Sequence, residues 1–349
     1  MRNSTNQIEK LDKDSQRKIF IDNFLNSTKK KILYVHTPLC MQKCKFCYLD
    51  TSQCLSPEEP FNHYKVLFED LETYKDIFNN IIFDEIYFGG GTPTVAPPHL
   101  MESLFERIPN FKNIKNKCIE SHPKSTTSEY MELFKKYEFD FISFGIQTLD
   151  YNIAKKQNMI YTDHQTLLQM SKYLNNTDLY FNYDLICYLE KEDIRDINQF
   201  KEDLYFIMSE CKPTGITLQK SFFSKHTQEM TRTLINLIKE ALNDHQDWKC
   251  VTSYLLDENI ENDTIFDREY KIASKRYDYM HHLWCKLPGN LLHRNNTLSI
   301  GSTEKHPIYS MGDEFAYEKK FGMIKNPNIK DTLYHEEFKK LRKERGFEI

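Results

Sequence analysis

The chain has 349 residues, enough for two ordinary domains or for one barrel with an appendage. Hydrophobic residues make up 40%, charged residues 28%, and the net charge is −4, which excludes collagen-like and disordered classes and any global basic field for nucleic acid. No apolar run approaches the roughly 18–20 residues of a membrane span, and the polar, mixed-charge first eighteen residues predict no secretory signal, so the expected setting is the cytoplasm.

In chain order, residues 1–30 read as a leader with one helical segment at Ser15–Leu25. From residue 31, β-branched and aromatic runs predict strands at Ile32–His36, Phe83–Phe88, Lys117–Ser121, Phe139–Ile146, Asp178–Ile186 and Gly215–Gln219. Amphipathic patterns predict helices at Phe61–Phe78, His99–Arg107, Ser125–Tyr137, Tyr151–Leu174, Ile194–Ser209 and near Gln228–Leu242. Six strands alternating with six helices predict an α/β fold of parallel βα units, wound into a partial (βα)6 TIM-like barrel over 31–246. An open doubly wound sheet is the alternative. Residues 247–349 are expected to add a small α+β extension. Within it, Tyr334–Arg345 reads as a charged terminal helix, and His281, His282, Trp284 and Cys285 as structural or surface groups.

Each predicted strand ends on polar or ligating residues. The first runs into Cys40, Cys44 and Cys47; the second into Gly89-Gly90-Gly91-Thr92-Pro93-Thr94; the third ends at Glu120. The fourth carries Ser143 and ends at Gln147, the fifth carries Asp184, and the sixth ends at Gln219-Lys220. Active sites of such barrels form at the carboxyl ends of the strands, so six consecutive ends point to one shared site. Only ten glycines occur, and three stand together at 89–91, where the backbone needs unusual dihedrals or a close neighbour.

The chain has nine cysteines, an odd number, and three form a C-x3-C-x2-C on the loop after the first strand. Clustered thiols in a reducing compartment read as metal-binding or catalytic. A structural zinc site wants four closed ligands, with Cys54 or His36 as candidates for the fourth. A [4Fe–4S] cube on three cysteines instead leaves one iron open to a small molecule.

This spacing after a first βα-barrel strand resembles the radical S-adenosylmethionine (radical SAM) superfamily. The resemblance extends to its oxygen-independent coproporphyrinogen dehydrogenase (HemN-like) branch. It rests on Tyr34-Val-His-Thr-Pro-Leu-Cys40, on Phe88 to Thr94, on Glu120-Ser-His-Pro123, on Ser143-Phe-Gly145-Ile-Gln147 and on Asn182-Tyr-Asp184-Leu-Ile, in family order over about residues 30–220. It implies that the open iron chelates SAM and that an electron splits SAM to a radical that abstracts hydrogen from a small organic substrate, with methylation or carbon–carbon bond formation as further outcomes.

By the same resemblance Cys40, Cys44 and Cys47 hold the cluster, Phe46 contacts the adenine, and Gly90, Gly91 and Thr92 lie against the methionine part of SAM. Glu120, Gln147 and Asp184 bind its ribose or amino groups, and Tyr34 stands beside the cluster or SAM as the catalytic candidate. A flavodoxin- or ferredoxin-type electron donor is implied; no nucleic acid or membrane partner is. Oxidoreductase and radical methyltransferase chemistry both stay open. Four departures separate this chain from the coproporphyrinogen enzymes. Leu49 stands where they have a fourth cysteine. Gln157-Asn158-Met159-Ile160 stands where they have an arginine that pairs with a second SAM carboxylate. Cys187-Tyr188-Leu189 replaces a Gly-Leu-Pro. The last third diverges, with Asn296 to Ser302 faintly like an L-G-x-G segment. Coproporphyrinogen III is therefore not the expected substrate, a second SAM site is not expected, and a HemW-type heme chaperone is the alternative.

Overall fold

The computed structural model describes residues 11–47, 49, 51–188, 197–220, 228–250, 269–274, 296–303, 305, 310–311, 315–318 and 322–325. His281, His282, Trp284, Cys285 and Tyr334–Arg345 lie outside the described residues.

Helix α1 (Lys13–Asn26) begins at Asp12, whose carboxylate accepts the Ser15 amide at 2.9 Å. It buries Phe20, Ile21 and Phe24. Strand β1 (Lys31–Thr37) follows, then the short pair β2 (Leu39–Cys40) and β3 (Ser52–Gln53), which flank the cysteine loop. The predicted helix at Phe61–Phe78 is two helices, α2 (Glu58–Thr73) and α3 (Lys75–Asn80), broken at Tyr74. Next come β4 (Glu85–Gly90), α4 (Pro98–Arg107), β5 (Asn116–Ser121), α5 (Ser128–Lys136) and β6 (Phe141–Gln147).

The predicted helix at Tyr151–Leu174 is also two, α6 (Tyr151–Lys156) and α7 (His164–Leu174). Left-handed Asn158 (φ 54°) stops the first, and Asp163 caps the second by accepting the Thr166 amide at 2.8 Å. Then follow β7 (Tyr180–Tyr188), α8 (Ile197–Phe206), β8 (Gly215–Lys220), α9 (Gln228–Asp244), β9 (Trp248–Cys250) and β10 (Glu269–Ser274). Strands β11 (Asn296–Ile300), β12 (Ser310–Met311), β13 (Phe315–Glu318) and β14 (Gly322–Lys325) complete the described elements.

One sheet runs β14-β13-β12-β11-β1-β4-β5-β6-β7-β8-β10-β9. The stretch from β11 to β8 is parallel throughout, and the flanking strands are antiparallel. The expected α/β architecture is thus present. The sheet also takes in a seventh parallel strand, β11, from beyond residue 246, seated in register on β1 with Ser299 opposite Tyr34.

Alternation along the strands sorts the two faces. Leu33, Val35, Ile86, Phe88, Ile119, Ile142, Phe144, Phe181, Leu185, Ile216, Leu218, Leu298 and Ile300 join one hydrophobic core with the helices. The residues between them present Tyr34, His36, Tyr87, Glu120, Ser143, Gln147, Asn182, Asp184, Thr217 and Ser299 to the opposite face. A barrel packed for stability fills that face with branched apolar side chains. Here it is polar, which is the composition of a ligand-binding concavity.

Candidate functional site

The sheet curls around this polar face. Asp184 on β7 acts electrostatically on Tyr87 of β4, although two strands lie between them. The cysteine loop after β1 likewise crosses to the far side, where Cys44 and Phe46 pack against Ala154, Met159 and Ile186.

Two carboxylates are fixed on the polar face. Glu120 accepts the Tyr87 hydroxyl at 2.6 Å and the Gly90 amide at 3.1 Å. Asp184 accepts the Ser143 hydroxyl at 2.8 Å and the Asn182 amide at 2.7 Å. Asn182 also donates to Ser143 Oγ at 2.9 Å and accepts from Thr217 at 3.3 Å. Tyr87 stacks on Tyr34, with ring centroids 6.1 Å apart, and Tyr34 shares a 3.2 Å hydrogen bond with His36. Burial first, and then the neighbouring Glu120, pushes the Tyr87 phenol well above its ordinary range, so it stays a proton donor.

Gln147 ends β6 in the left-handed region (φ 64°), just past a register shift between Gly145 and Gln147. Its buried Oε1 has no hydrogen-bond partner. A strained backbone that presents an unpaired acceptor marks a ligand position.

The glycine run is pressed against β1. Gly90 has φ 110°, and a Cβ there would lie 2.5 Å from His36 Nδ1. A Cβ on Gly91 would lie 2.9 Å from Cys40 Sγ. The Gly90, Gly91 and Thr92 amides donate to Glu120, to the Thr37 carbonyl at 2.6 Å and to the Leu39 carbonyl at 2.7 Å. These three N–H groups are spent internally, so this is no phosphate-cradling nest of amides. What the segment offers a ligand is carbonyl oxygen, the right partner for an ammonium.

Cys40, Cys44 and Cys47 are partly buried and feel one another's charge. Burial, then Cys47 and Cys40, pushes the Cys44 thiol up to about 12. Burial and Cys47 raise Cys40, while hydroxyls of Thr92 and Thr51 and the Lys43 ammonium act the other way. Lys43 Nζ is held by the Leu49 carbonyl and Thr51 Oγ1, both at 2.7 Å. Among the described residues no three His, Cys, Asp or Glu side chains converge on a point for a single metal ion. Of the candidates for a fourth zinc ligand, Cys54 donates to the Ser56 carbonyl at 3.3 Å and His36 bonds Tyr34 through Nδ1. A cube takes one thiolate per iron, so its ligands stand further apart than those of one ion. Three soft donors beside a bare Gly91 backbone fit that group.

Residues 34–204 match the family model of the Radical SAM superfamily. This stretch is similar to the radical SAM domains of that family. It is similar to the heme chaperone HemW of Buchnera aphidicola subsp. Acyrthosiphon pisum, 25% identical over 314 residues that cover 86% of this chain and 75% of that protein. The HemW of Buchnera aphidicola subsp. Schizaphis graminum is 28% identical over 172 residues, covering 47% and 44%. The oxygen-independent coproporphyrinogen III oxidase of Helicobacter pylori (strain 26695) is 31% identical over 129 residues, covering 35% and 28%. Two of these three matches therefore span less than half of the relative. The solved structure of coproporphyrinogen III oxidase (HemN) from Escherichia coli shares the fold, with a TM-score of 0.65 at 13% identity, covering 89% of this chain and 70% of that one.

Within the matched stretch, Cys40, Gly91 and Thr92 adjoin one another, Glu120 bonds Tyr87 while Asp184 acts on it electrostatically, and Phe46 lies in the apolar cluster with Cys44. Sequence reasoning passed over Tyr87. Its signal was the two-residue period, which places it on the same face as Gly89. Among the described residues, no helix is long and apolar enough to cross a membrane.

Proposed function

We propose that this chain is a radical SAM enzyme acting on a small organic substrate, with a [4Fe–4S] cluster on Cys40, Cys44 and Cys47 and one SAM on the polar face. The observation that carries the reading is the meeting of three partly buried thiols with a bare glycine backbone at the mouth of a polar, curled sheet. Bound there, cluster and SAM supply an electron-initiated hydrogen abstraction. The chain's own part is placement. Carbonyls of Gly90 and Gly91 would receive the ammonium, and Glu120 and Asp184, each held by two donors, would offer their oxygens to hydroxyl or amino groups. Tyr34 and the protonated Tyr87 wall the reacting end. Met159, buried against Cys44 and Phe46, stands about where the related coproporphyrinogen enzymes carry the arginine, so that bidentate partner for a second SAM carboxylate is missing here.

Anaerobic reconstitution with iron and sulfide, followed by SAM and dithionite, is expected to yield 5′-deoxyadenosine, and Cys44→Ala is expected to abolish it. No SAM-derived product with intact cluster would remove the enzymatic reading. The match to HemW over 86% of the chain favours a second reading, a heme chaperone. Stoichiometric heme capture and transfer without SAM turnover would select it.

A further inference from the structure

The turn at residues 157–160 adjoins the cysteine loop and is tied at both of its ends. Asn158 sits in the left-handed region, where asparagine is one of the few side-chain-bearing residues at ease. Its Nδ2 donates to the Lys43 carbonyl at 2.9 Å, and its Oδ1 accepts from Gln42 Nε2 at 2.7 Å. The Gln157 carbonyl accepts the Lys45 amide at 2.9 Å. Three residues of the cysteine loop, Gln42, Lys43 and Lys45, are thus bound by two consecutive residues of the turn. Met159 adds apolar packing on Cys44 and Phe46, and the His122 ring, beyond the end of β5, bonds the Ile160 backbone.

Over Cys40–Cys47 the loop's main chain contributes little to its own order, although Lys43 Nζ ties it forward to Leu49 and Thr51. Between Cys40 and Cys47 one backbone hydrogen bond closes within it, from the Cys47 amide to the Cys44 carbonyl at 3.2 Å. We infer that the 157–160 turn is a strap that holds the cysteine loop ready for its iron–sulfur cluster, with Asn158 as its positioning residue. This rests on the radical SAM reading of the three thiols. A loop held in place beforehand loses less freedom when the cluster binds, so the strap slows loss of the cluster. It also accounts for the departure at this point of the sequence: the segment faces the loop rather than a ligand carboxylate.

The test uses the full chain, reconstituted anaerobically with iron and sulfide, and two variants. Asn158→Gly keeps the left-handed turn and removes both side-chain bonds. Gln42→Ala removes one bond at a partly exposed position. Iron and sulfide per chain, the rate of cluster loss to a chelator, and the melting temperature of the cluster-free protein are measured. The strap predicts several-fold faster loss in Asn158→Gly, a smaller acceleration in Gln42→Ala, and little change in cluster-free melting. Retention equal to the unaltered chain in both variants overturns the strap alone. Faster loss that only parallels a drop in cluster-free melting in both variants also overturns it, as general destabilisation. Failure of the unaltered chain to take up iron and sulfide overturns the radical SAM reading and the strap together.

Discussion

At Gln147 the proposed SAM contact would be gained at the expense of stability. A left-handed non-glycine residue costs roughly 1–2 kcal/mol, and Gln147 leaves an unpaired buried oxygen as well. Gln147→Gly is therefore expected to leave the melting temperature unchanged or raise it. It should weaken SAM binding to the reconstituted protein by about tenfold, the value of one hydrogen bond, as read by equilibrium titration. His122 makes the complementary case. Burial, chiefly, pulls its ring down to about 4, with the bond to the Ile160 backbone opposing and the Lys124 charge adding to the drop, while Nδ1 accepts the Lys124 amide at 3.1 Å. The unfolded chain, with histidine near 6.5, binds the proton first. Stability is then complete above about pH 6.5 and is lost as pH falls toward 4, by about 3 kcal/mol at most. Melting curves at pH 7 and pH 5 should show this drop, and His122→Gln should flatten it.

Among the elements, β11 carries the largest consequence. It covers one edge of β1, while the Asp70 carboxylate of α2 accepts the Gly301 amide at 2.7 Å just beyond it. On the other side of the chain's order, α1 seals the core with Phe20 and Phe24. A fragment of residues 31–246 would expose both the β1 edge and this apolar surface. It is expected to aggregate or to melt without cooperativity, as calorimetry and light scattering would show, whereas the full chain melts cooperatively. The six βα strands were legible because each is a buried β-branched or aromatic run, and their ends were legible because chemistry-bearing residues follow them. Strand β11 was not. Asn296-Thr-Leu-Ser-Ile300 is short and half polar, and only its register on β1 makes it a strand. Tyr87 hid between Ile86 and Phe88 in what reads as core, and Asn158 hid inside an amphipathic pattern that its own left-handed backbone breaks. Both acquire meaning only through partners more than thirty residues away.

For the molecule as a whole, two faces of one sheet differ in kind: one packs the apolar core, the other is polar and is the proposed binding face. The pairing of β1 with β4 on one side and β11 on the other has a further effect in time. During synthesis the strand that leads into the three thiols meets its first neighbour early. Its second arrives only after nine other described strands, β2 to β10, have been synthesised. Such remote closure is slow. On the proposed radical SAM reading, a cluster delivered before β11 is made would meet a pocket whose floor is still incomplete, so maturation of the centre is expected to follow translation of that strand.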